Sequence, residues 1–297
     1  MKLFRCSYLF KALNILAIIL SHQTFCQNLK FESVGEGDDI ILLAGLTCSA
    51  DVYNETIEEF KDEYRFHKLT LPGFAGVDPI QNPELGYTDA IQKLIVAYVR
   101  ENKITKPIII GHSYGGFLAL KLASENPDLP KKLIILDALP FLPAIQMKEI
   151  QNEQDALKMA ETIKTNMLNS VSQSEEERFE SQLKFAKYMV KDGDKAKVIA
   201  KWGAISDPVS MAQAVFEMYS TDLRDQIIEI KAPTLVIGSW IGYKNFGVTK
   251  ESNTESYKLQ YKNIKNVTID MSDTGNHFIM WDDPKFFYTK MRTHLDN

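Results

Sequence analysis

The sequence has few cysteines for a chain of 297 residues. They are Cys6, Cys26 and Cys48, and the first two lie in the N-terminal leader described below. If the leader is removed after Cys26, only Cys48 remains and no internal disulfide can form, which a large exported domain tolerates. Cys48 lies in a predicted loop without a supporting motif, so a catalytic thiol at this position is a minor alternative.

The chain also lacks a large excess of either charge and any repeated or low-complexity segment. It carries 34 basic and 39 acidic residues, for a net charge of −5. No long basic run with interleaved aromatic residues occurs, which argues against nucleic acid as a partner. No dinucleotide-binding fingerprint and no cluster of metal-ligand residues appears either, so we expect no cofactor and no metal.

The one apolar run near the N-terminus is too short for a comfortable membrane span. Residues 12–20 form this run, three basic residues precede it, and a possible cleavage site follows near Cys26-Gln27. This pattern predicts a secretory signal peptide over residues 1–26 and a periplasmic or secreted protein. No stable membrane span is then expected after cleavage. The alternative is a membrane anchor formed by an uncleaved N-terminus.

A pentapeptide in the middle of the chain indicates nucleophilic chemistry. Residues 111–115 read Gly-His-Ser-Tyr-Gly and follow the apolar run 107–110. A serine hydroxyl is a poor nucleophile at neutral pH and needs a neighbouring base and a rigid, exposed position. A sharp turn from a buried strand into a helix supplies that position, and glycines prevent collisions where the chain reverses. Ser113 is therefore the predicted nucleophile, with a glycine-rich turn and a capping serine as the alternative.

Strand and helix patterns alternate along most of the remaining chain. Predicted strands cover residues 31–34, 39–43, 65–71, 107–110, 132–136, 234–238 and 266–270. Predicted helices include residues 54–64, 284–294 and 88–102, the last with Thr88 as its N-cap. The alternation predicts an α/β fold with a mostly parallel central sheet flanked by helices.

The alternation stops between about residues 140 and 220, where the sequence becomes helical, charged and rich in methionine. We therefore predict a core formed by residues 27–139 and 221–297 and a helical cap or lid formed by residues 140–220. The cap would lie over the carboxyl ends of the strands, where such sheets bind ligands. The adaptable methionine side chains suit either an apolar substrate or the packing of the cap helices on each other.

Four segments resemble the α/β-hydrolase fold superfamily, and its lidded esterases in particular, in their order and spacing. They are Leu43-Ala-Gly-Leu46, Gly111-His-Ser-Tyr-Gly-Gly116, Ala232-Pro-Thr-Leu-Val-Ile-Gly238, and Gly275-Asn-His277 followed by Trp281-Asp-Asp-Pro284. The resemblance covers about residues 31–296. It implies a Ser–His–acid triad in the chain order Ser, acid, His.

The resemblance implies that His277 is the catalytic base. The triad histidine of this fold lies in the loop between the last strand and the final helix, which is where His277 lies. The other histidines after the leader fit this place less well; they are His67, His112 and His294. A capping or buried structural role is the alternative for His277.

The resemblance also implies an oxyanion hole formed by the backbone amides of Leu46 and Tyr114. The family usually has a His-Gly pair just before the first of these residues, and this chain has Ala44-Gly45. The histidine is missing, but backbone amides remain available. An ordinary turn at the end of a strand is the alternative for this segment.

The acid departs from the usual family pattern. The family usually places it shortly after the strand predicted at 234–238, and no carboxylate occurs there until Glu251. Some members carry the acid one strand earlier, and Asp137 ends that strand here, so Asp137 is the predicted acid. The alternatives are Asp270 and Asp273, whereas Asp222 and Asp225 are expected to cap a following helix. The aromatic residues in place of the usual acid, predicted to shape the pocket or to pack on the surface, are Trp240, Tyr243 and Phe246.

These patterns predict a serine hydrolase with a small-molecule acyl substrate. Ser113 would attack the carbonyl, His277 would transfer the proton, and water would release the acyl group. A carboxylic ester is the expected substrate, with a thioester, lactone, amide or short peptide left open. The serine argues against haloalkane dehalogenases and epoxide hydrolases of this fold, which use aspartate there. The alternative is a non-catalytic binding protein on the same scaffold, favoured by the missing acid.

Overall fold

The computed structural model describes residues 30–147 and 149–297, so the predicted signal peptide lies outside the described residues. Within them, the strands form one sheet in the order β1-β3-β2-β4-β5-β6-β7. They are β1 (Lys30–Val34), β2 (Asp38–Leu43), β3 (Tyr64–Thr70), β4 (Ile108–His112), β5 (Lys132–Leu136), β6 (Thr234–Ser239) and β7 (Val267–Ser272). Only the β1–β3 pair is antiparallel among the described pairs. The predicted α/β fold with a mostly parallel sheet is confirmed.

Helices connect the parallel strands and cover both faces of the sheet. They are α1 (Asn54–Phe60), α2 (Tyr87–Glu101), α3 (Tyr114–Glu125), α4 (Pro143–Gln146), α5 (Glu153–Leu168), α6 (Glu175–Met189), α7 (Gly193–Ala204), α8 (Pro208–Ser220), α9 (Lys250–Gln260), α10 (Ile279–Asp282) and α11 (Pro284–Asp296). None of the helices in the described ranges is long and apolar enough to cross a bilayer.

The side chains of the central strands alternate between two hydrophobic cores, one on each face of the sheet. Ile109 and Ile135 belong to the core that contains residues of α2, α3 and α9. Ile108 and Ile134 belong to the other core, which contains residues of α1 and α11. All residues of β4 and β6 are buried. Burial on both faces explains why these strands read as continuous apolar runs rather than as alternating ones.

The chain between β5 and β6 forms α4 to α8. There α5 packs mainly on α8, and α6 packs mainly on α7. Met211 and Ala214 of α8 join the first core, whereas Ala186 of α6 and Ala196 of α7 join the second. The two helix pairs are therefore anchored on opposite faces of the sheet.

Two predicted helix caps are wrong. α2 begins at Tyr87, so Thr88 lies inside the helix. The amides of Tyr87 and Thr88 donate instead to the carboxylate of Glu217 in α8, at 2.9 and 2.6 Å. This side chain satisfies amides that a helix start leaves without an acceptor. Only the short 3₁₀ turn Gln226–Glu229 follows Asp225, whose side chain makes no capping bond.

Candidate active site

Ser113 lies at the sharp turn between β4 and α3, with φ 54° and ψ −121°. A positive φ is unfavourable for a residue with a side chain and persists only where the surroundings enforce it. Here the amide of Ser113 donates to the carbonyl of Leu136 at 2.9 Å. The carbonyl of Ser113 accepts from the amides of Gly116 and Phe117 at 2.9 and 3.0 Å. The turn therefore holds the serine in one backbone conformation.

The glycines around Ser113 are required by close contacts. A Cβ atom at Gly111 would overlap the carbonyl oxygen of Gly115, and one at Gly115 would overlap the carbonyl oxygen of Leu43. A Cβ at Gly116 would lie 2.5 Å from the Cβ of Ala138. The chain thus reverses so closely against its neighbours that only glycine fits at these positions.

His277 and Asp137 form a short hydrogen bond between the last strand's loop and the end of β5. The distance between His277 Nδ1 and Asp137 Oδ2 is 2.7 Å. The Asp137 side chain is 7% exposed and the His277 side chain is 24% exposed. Because Nδ1 is bound to the carboxylate, Nε2 is the nitrogen left to accept a proton. Ser113 and His277 line the same cavity.

The second oxygen of Asp137 is also hydrogen-bonded. Oδ1 accepts from the amide of Ser239 at 2.8 Å and from the hydroxyl of Tyr257 at 2.7 Å. Ser239 ends β6, and its own hydroxyl donates to the carbonyl of Gly275 at 2.7 Å. Ser239 therefore lies near the place where the family usually carries the acid, and its amide holds the carboxylate of Asp137, which follows the neighbouring strand β5.

The alternative carboxylates lie with other partners. Asp270 pairs with Lys290 at 3.0 Å, and Asp273 pairs with Lys250 at 2.7 Å. Asp222 pairs with the guanidinium of Arg224 at 2.6 Å. The structure thus brings together Ser113, His277 and Asp137 and places these three carboxylates in ion pairs.

Sequence reasoning did not foresee the role of His112, the residue before the serine. It is fully buried, and its Nε2 lies 2.9 Å from the carbonyl oxygen of His277. A carbonyl only accepts, so Nε2 carries the proton and donates. Its ring centroid lies 4.6 Å from that of His277 and 4.7 Å from that of Phe278. Burial, together with the neighbouring His277, holds the pKa of His112 well below its usual range, so this imidazole is neutral.

The two residues predicted to form the oxyanion hole are Leu46 and Tyr114. Leu46 follows β2 and lines the same cavity as Ser113. Tyr114 is the first residue of α3, where a backbone amide has no acceptor within the helix. Its phenol points elsewhere, because its hydroxyl lies 2.9 Å from Oγ1 of Thr88 inside the first core.

The cavity beside Ser113 is small and mostly apolar, with a volume of about 60 Å³. Its walls come from the loop after β2, the serine turn, the His277 loop and the helix pair α6–α7. The residues are Gly45, Leu46, Thr47, Cys48, His112, Ser113, Gln182, Phe185, Ala186, Met189, Ile199, His277 and Phe278. Trp240 and Tyr243 do not line it; Trp240 packs against the first core and Tyr243 is exposed.

Cys48 is a buried wall residue of this cavity. Burial raises the pKa of its thiol to about 12, so the thiol stays protonated at neutral pH.

In the described ranges, no group of three or more His, Cys, Asp or Glu side chains is arranged to hold a metal ion.

Residues 40–189 match the family described as alpha/beta hydrolase fold, which is half of the chain. The chain therefore belongs to the α/β-hydrolase fold family, as the sequence motifs predicted.

Within this family the chain is similar to esterases. It is 25% identical over 218 residues to pimeloyl-[acyl-carrier protein] methyl ester esterase from Nitrosospira multiformis, with 71% of this chain and 79% of the relative covered. The protein of the same name from Vibrio parahaemolyticus is 26% identical, with 70% and 77% covered. The solved structure of an esterase from Exiguobacterium antarcticum superimposes with a TM-score of 0.72 at 16% identity, covering 91% and 96% of the two chains. The prediction of an α/β-hydrolase enzyme is confirmed.

Proposed function

We propose that this chain is a serine hydrolase that cleaves a carboxylic ester through a Ser113–His277–Asp137 triad and an acyl-enzyme. The observation that carries the proposal is the 2.7 Å hydrogen bond between His277 Nδ1 and Asp137 Oδ2 beside a cavity that Ser113 also lines. This arrangement leaves Nε2 of His277 as the base for the serine hydroxyl.

The proposed reaction has two halves. In the first, Oγ of Ser113 bonds to the carbonyl carbon of the ester while Nε2 of His277 takes the hydroxyl proton. The amides of Leu46 and Tyr114 would stabilise the negative oxygen, and Asp137 would stabilise the imidazolium. The proton then passes to the departing alkoxide, which leaves as the alcohol. In the second half, water attacks the acyl-enzyme with the same proton transfers and releases the acid.

The alternative of a non-catalytic binding protein rests on the missing acid after β6. Asp137 supplies a carboxylate to His277 from the neighbouring strand, 2.7 Å away. The missing carboxylate after β6 favoured the alternative, but Asp137 offers a carboxylate to the same histidine. Ester hydrolysis is therefore the one function that we propose.

The size of the cavity supports an ester with one short substituent. A volume of about 60 Å³ is small for a ligand site, since such pockets usually measure about 300–1,000 Å³. The relatives from Nitrosospira multiformis and Vibrio parahaemolyticus are named as methyl ester esterases. We therefore propose a methyl, ethyl or acetyl group as the part of the substrate that enters this cavity.

Labelling with a fluorophosphonate probe tests the serine chemistry. We expect the wild-type protein to be labelled and Ser113→Ala to remain unlabelled, because the probe reacts only with an activated serine. Ser172→Ala, which changes an exposed serine in the 3₁₀ turn Asn169–Ser172, is the matched control and should label normally. A wild-type protein that resists the probe would contradict the proposal.

Two ester series test the substrate. One series lengthens the acyl chain with p-nitrophenol as a fixed alcohol, and the other lengthens the alcohol with a fixed acyl group. The small cavity predicts that kcat/KM falls steeply in at least one series, and that series identifies which substituent enters the cavity. Flat profiles in both series would contradict the size argument.

We also propose that residues 140–220 act as a cap over this site and that residues 1–26 direct export. Support for the cap comes from Gln182, Phe185 and Met189 of α6, which line the cavity beside Ser113. The basic and apolar pattern at the N-terminus supports export. N-terminal sequencing of the protein recovered outside the cytoplasmic membrane tests the second proposal, and an intact leader on cytoplasmic protein would contradict it.

A further inference from the structure

Tyr257 contacts Asp137, the acid of the candidate triad, on the carboxylate oxygen that does not bond to His277. It lies in the last turn of α9 and is 4% exposed. Its hydroxyl donates to Oδ1 of Asp137 at 2.7 Å, on the carboxylate oxygen that does not face His277. The amide of Ser239 donates to the same oxygen at 2.8 Å. Three donors therefore surround one carboxylate.

This contact matters because Asp137 comes from an unusual place for the acid. Asp137 follows β5 directly, with φ 43°, in a backbone conformation that a side-chain-bearing residue rarely adopts. A carboxylate attached there can rotate about its side-chain bonds unless its second oxygen is also fixed. The amide of Ser239 fixes that oxygen in one direction, and the phenol of Tyr257 fixes it in another.

We propose that Tyr257 is a positioning residue that orients the carboxylate of Asp137 toward Nδ1 of His277. The proposal rests on the serine-hydrolase function proposed above. Tyr257 is not among the residues that line the cavity, and its hydroxyl bonds to Asp137, so we expect it to act through Asp137.

The phenol is suited to a permanent donor role. Burial, followed by the charge of Asp137, raises the pKa of Tyr257 well above its usual range. The hydroxyl therefore keeps its proton throughout the pH range in which an esterase is assayed, and it donates to the carboxylate in every such condition.

The chain provides a matched control one helical turn away. Tyr261 is fully buried, stacks on Tyr257 with ring centroids 6.3 Å apart, and donates its hydroxyl to the carbonyl of Ala138 at 2.7 Å. Tyr257→Phe and Tyr261→Phe each delete one buried hydroxyl and one hydrogen bond. If Tyr257 only supports the fold, the two variants should lose activity equally.

The test compares wild type, Tyr257→Phe and Tyr261→Phe by ester kinetics and by the low-field proton resonance of the His277–Asp137 hydrogen bond. We expect Tyr257→Phe to lower kcat about tenfold at unchanged KM, because misplacing a catalytic group slows the chemical step. The low-field resonance should shift in Tyr257→Phe and stay in place in Tyr261→Phe, which should keep wild-type kinetics.

Equal losses in the two variants, or an unmoved resonance in Tyr257→Phe, would overturn the positioning role. Failure of the proposed serine-hydrolase function would give a different result. The wild type would then not react with the fluorophosphonate probe, and both proposals would be wrong. Similar melting temperatures of Tyr257→Phe and Tyr261→Phe would show that the kinetics and the resonance are compared between folded proteins. Tyr257→Leu provides a second variant without the hydroxyl.

Discussion

Replacement of Asp137 by asparagine should reveal how the carboxylate controls the tautomer of His277. Oδ1 of Asp137 faces two donors, the amide of Ser239 and the hydroxyl of Tyr257. In Asp137→Asn these donors would hold the amide oxygen, so the NH₂ group would point toward Nδ1 of His277. An NH₂ group donates and does not accept. Nδ1 would then lose its proton to Nε2, which could no longer accept the proton of Ser113.

The expected loss in kcat is about ten-thousand-fold, the size seen when a triad aspartate becomes asparagine and the histidine tautomer is wrong. That factor corresponds to about 5 kcal/mol in the activation free energy. The replacement keeps the shape of the side chain, so the fold and KM should change little. The assay is kcat and KM on a short p-nitrophenyl ester, with circular dichroism to verify folding.

The controls are Asp270→Asn and Asp273→Asn, which remove carboxylates paired with Lys290 and Lys250. Both were alternative acids on sequence grounds, and both should keep activity within about twofold, because each carboxylate is paired with a lysine and makes no described hydrogen bond to His277. Retention of more than about a tenth of the wild-type kcat in Asp137→Asn would refute this role of Asp137. A loss in either control as large as that in Asp137→Asn would refute it equally.

The remaining predictions concern stability, reactivity and the attachment of α8. The pKa of His112 is lowered in the folded state, so below about pH 6.5 the unfolded chain binds a proton that the native chain does not, and the free energy of unfolding should fall. In urea unfolding, this group should add at most about 1.4 kcal/mol per pH unit to the slope of the free energy of unfolding against pH, and His112→Gln should lack that contribution. Equal slopes in the two proteins would contradict this prediction. Cys48 should resist iodoacetamide at pH 8 in the native protein and react in urea, as measured by mass spectrometry, since its thiol has a pKa of about 12; rapid native labelling would be the contrary result. Glu217→Ala should lower the free energy of unfolding by about 1–3 kcal/mol, because the amides of Tyr87 and Thr88 lose their acceptor; an unchanged denaturation midpoint would show that water replaces it.

Local sequence rules predicted the serine turn because its requirements are local. The strand before Ser113, the helix after it and the glycines beside it are contiguous, and their close contacts follow from the reversal of a single segment. The parallel sheet was predictable for the same reason, since fully buried strands such as β4 must be apolar throughout. The roles of His277 and Asp137 were predicted through the family resemblance, which specifies their places relative to the strands.

The predicted cap at Thr88 is wrong because a distant side chain replaces a local one. Thr88 has a typical N-cap residue type, but the carboxylate of Glu217, 129 residues further along the chain, accepts a hydrogen bond from its amide. A preference of about 1 kcal/mol for a capping residue is easily outweighed by such a contact. The same limit applies to His112, whose position beside the serine is visible in sequence, although its bond to the carbonyl of His277 is not.

The sequence by itself predicted the turn that contains Ser113 and the order of strands and helices, because each depends on neighbouring residues. Only the tertiary structure decided between Asp137, Asp270 and Asp273 as the carboxylate that faces His277, and what holds that carboxylate. Asp137 meets His277 across 140 residues and Tyr257 across 120 residues. Such contacts are set by the way the sheet brings the ends of β5, β6 and β7 side by side and packs α9 against them, and no local pattern encodes them.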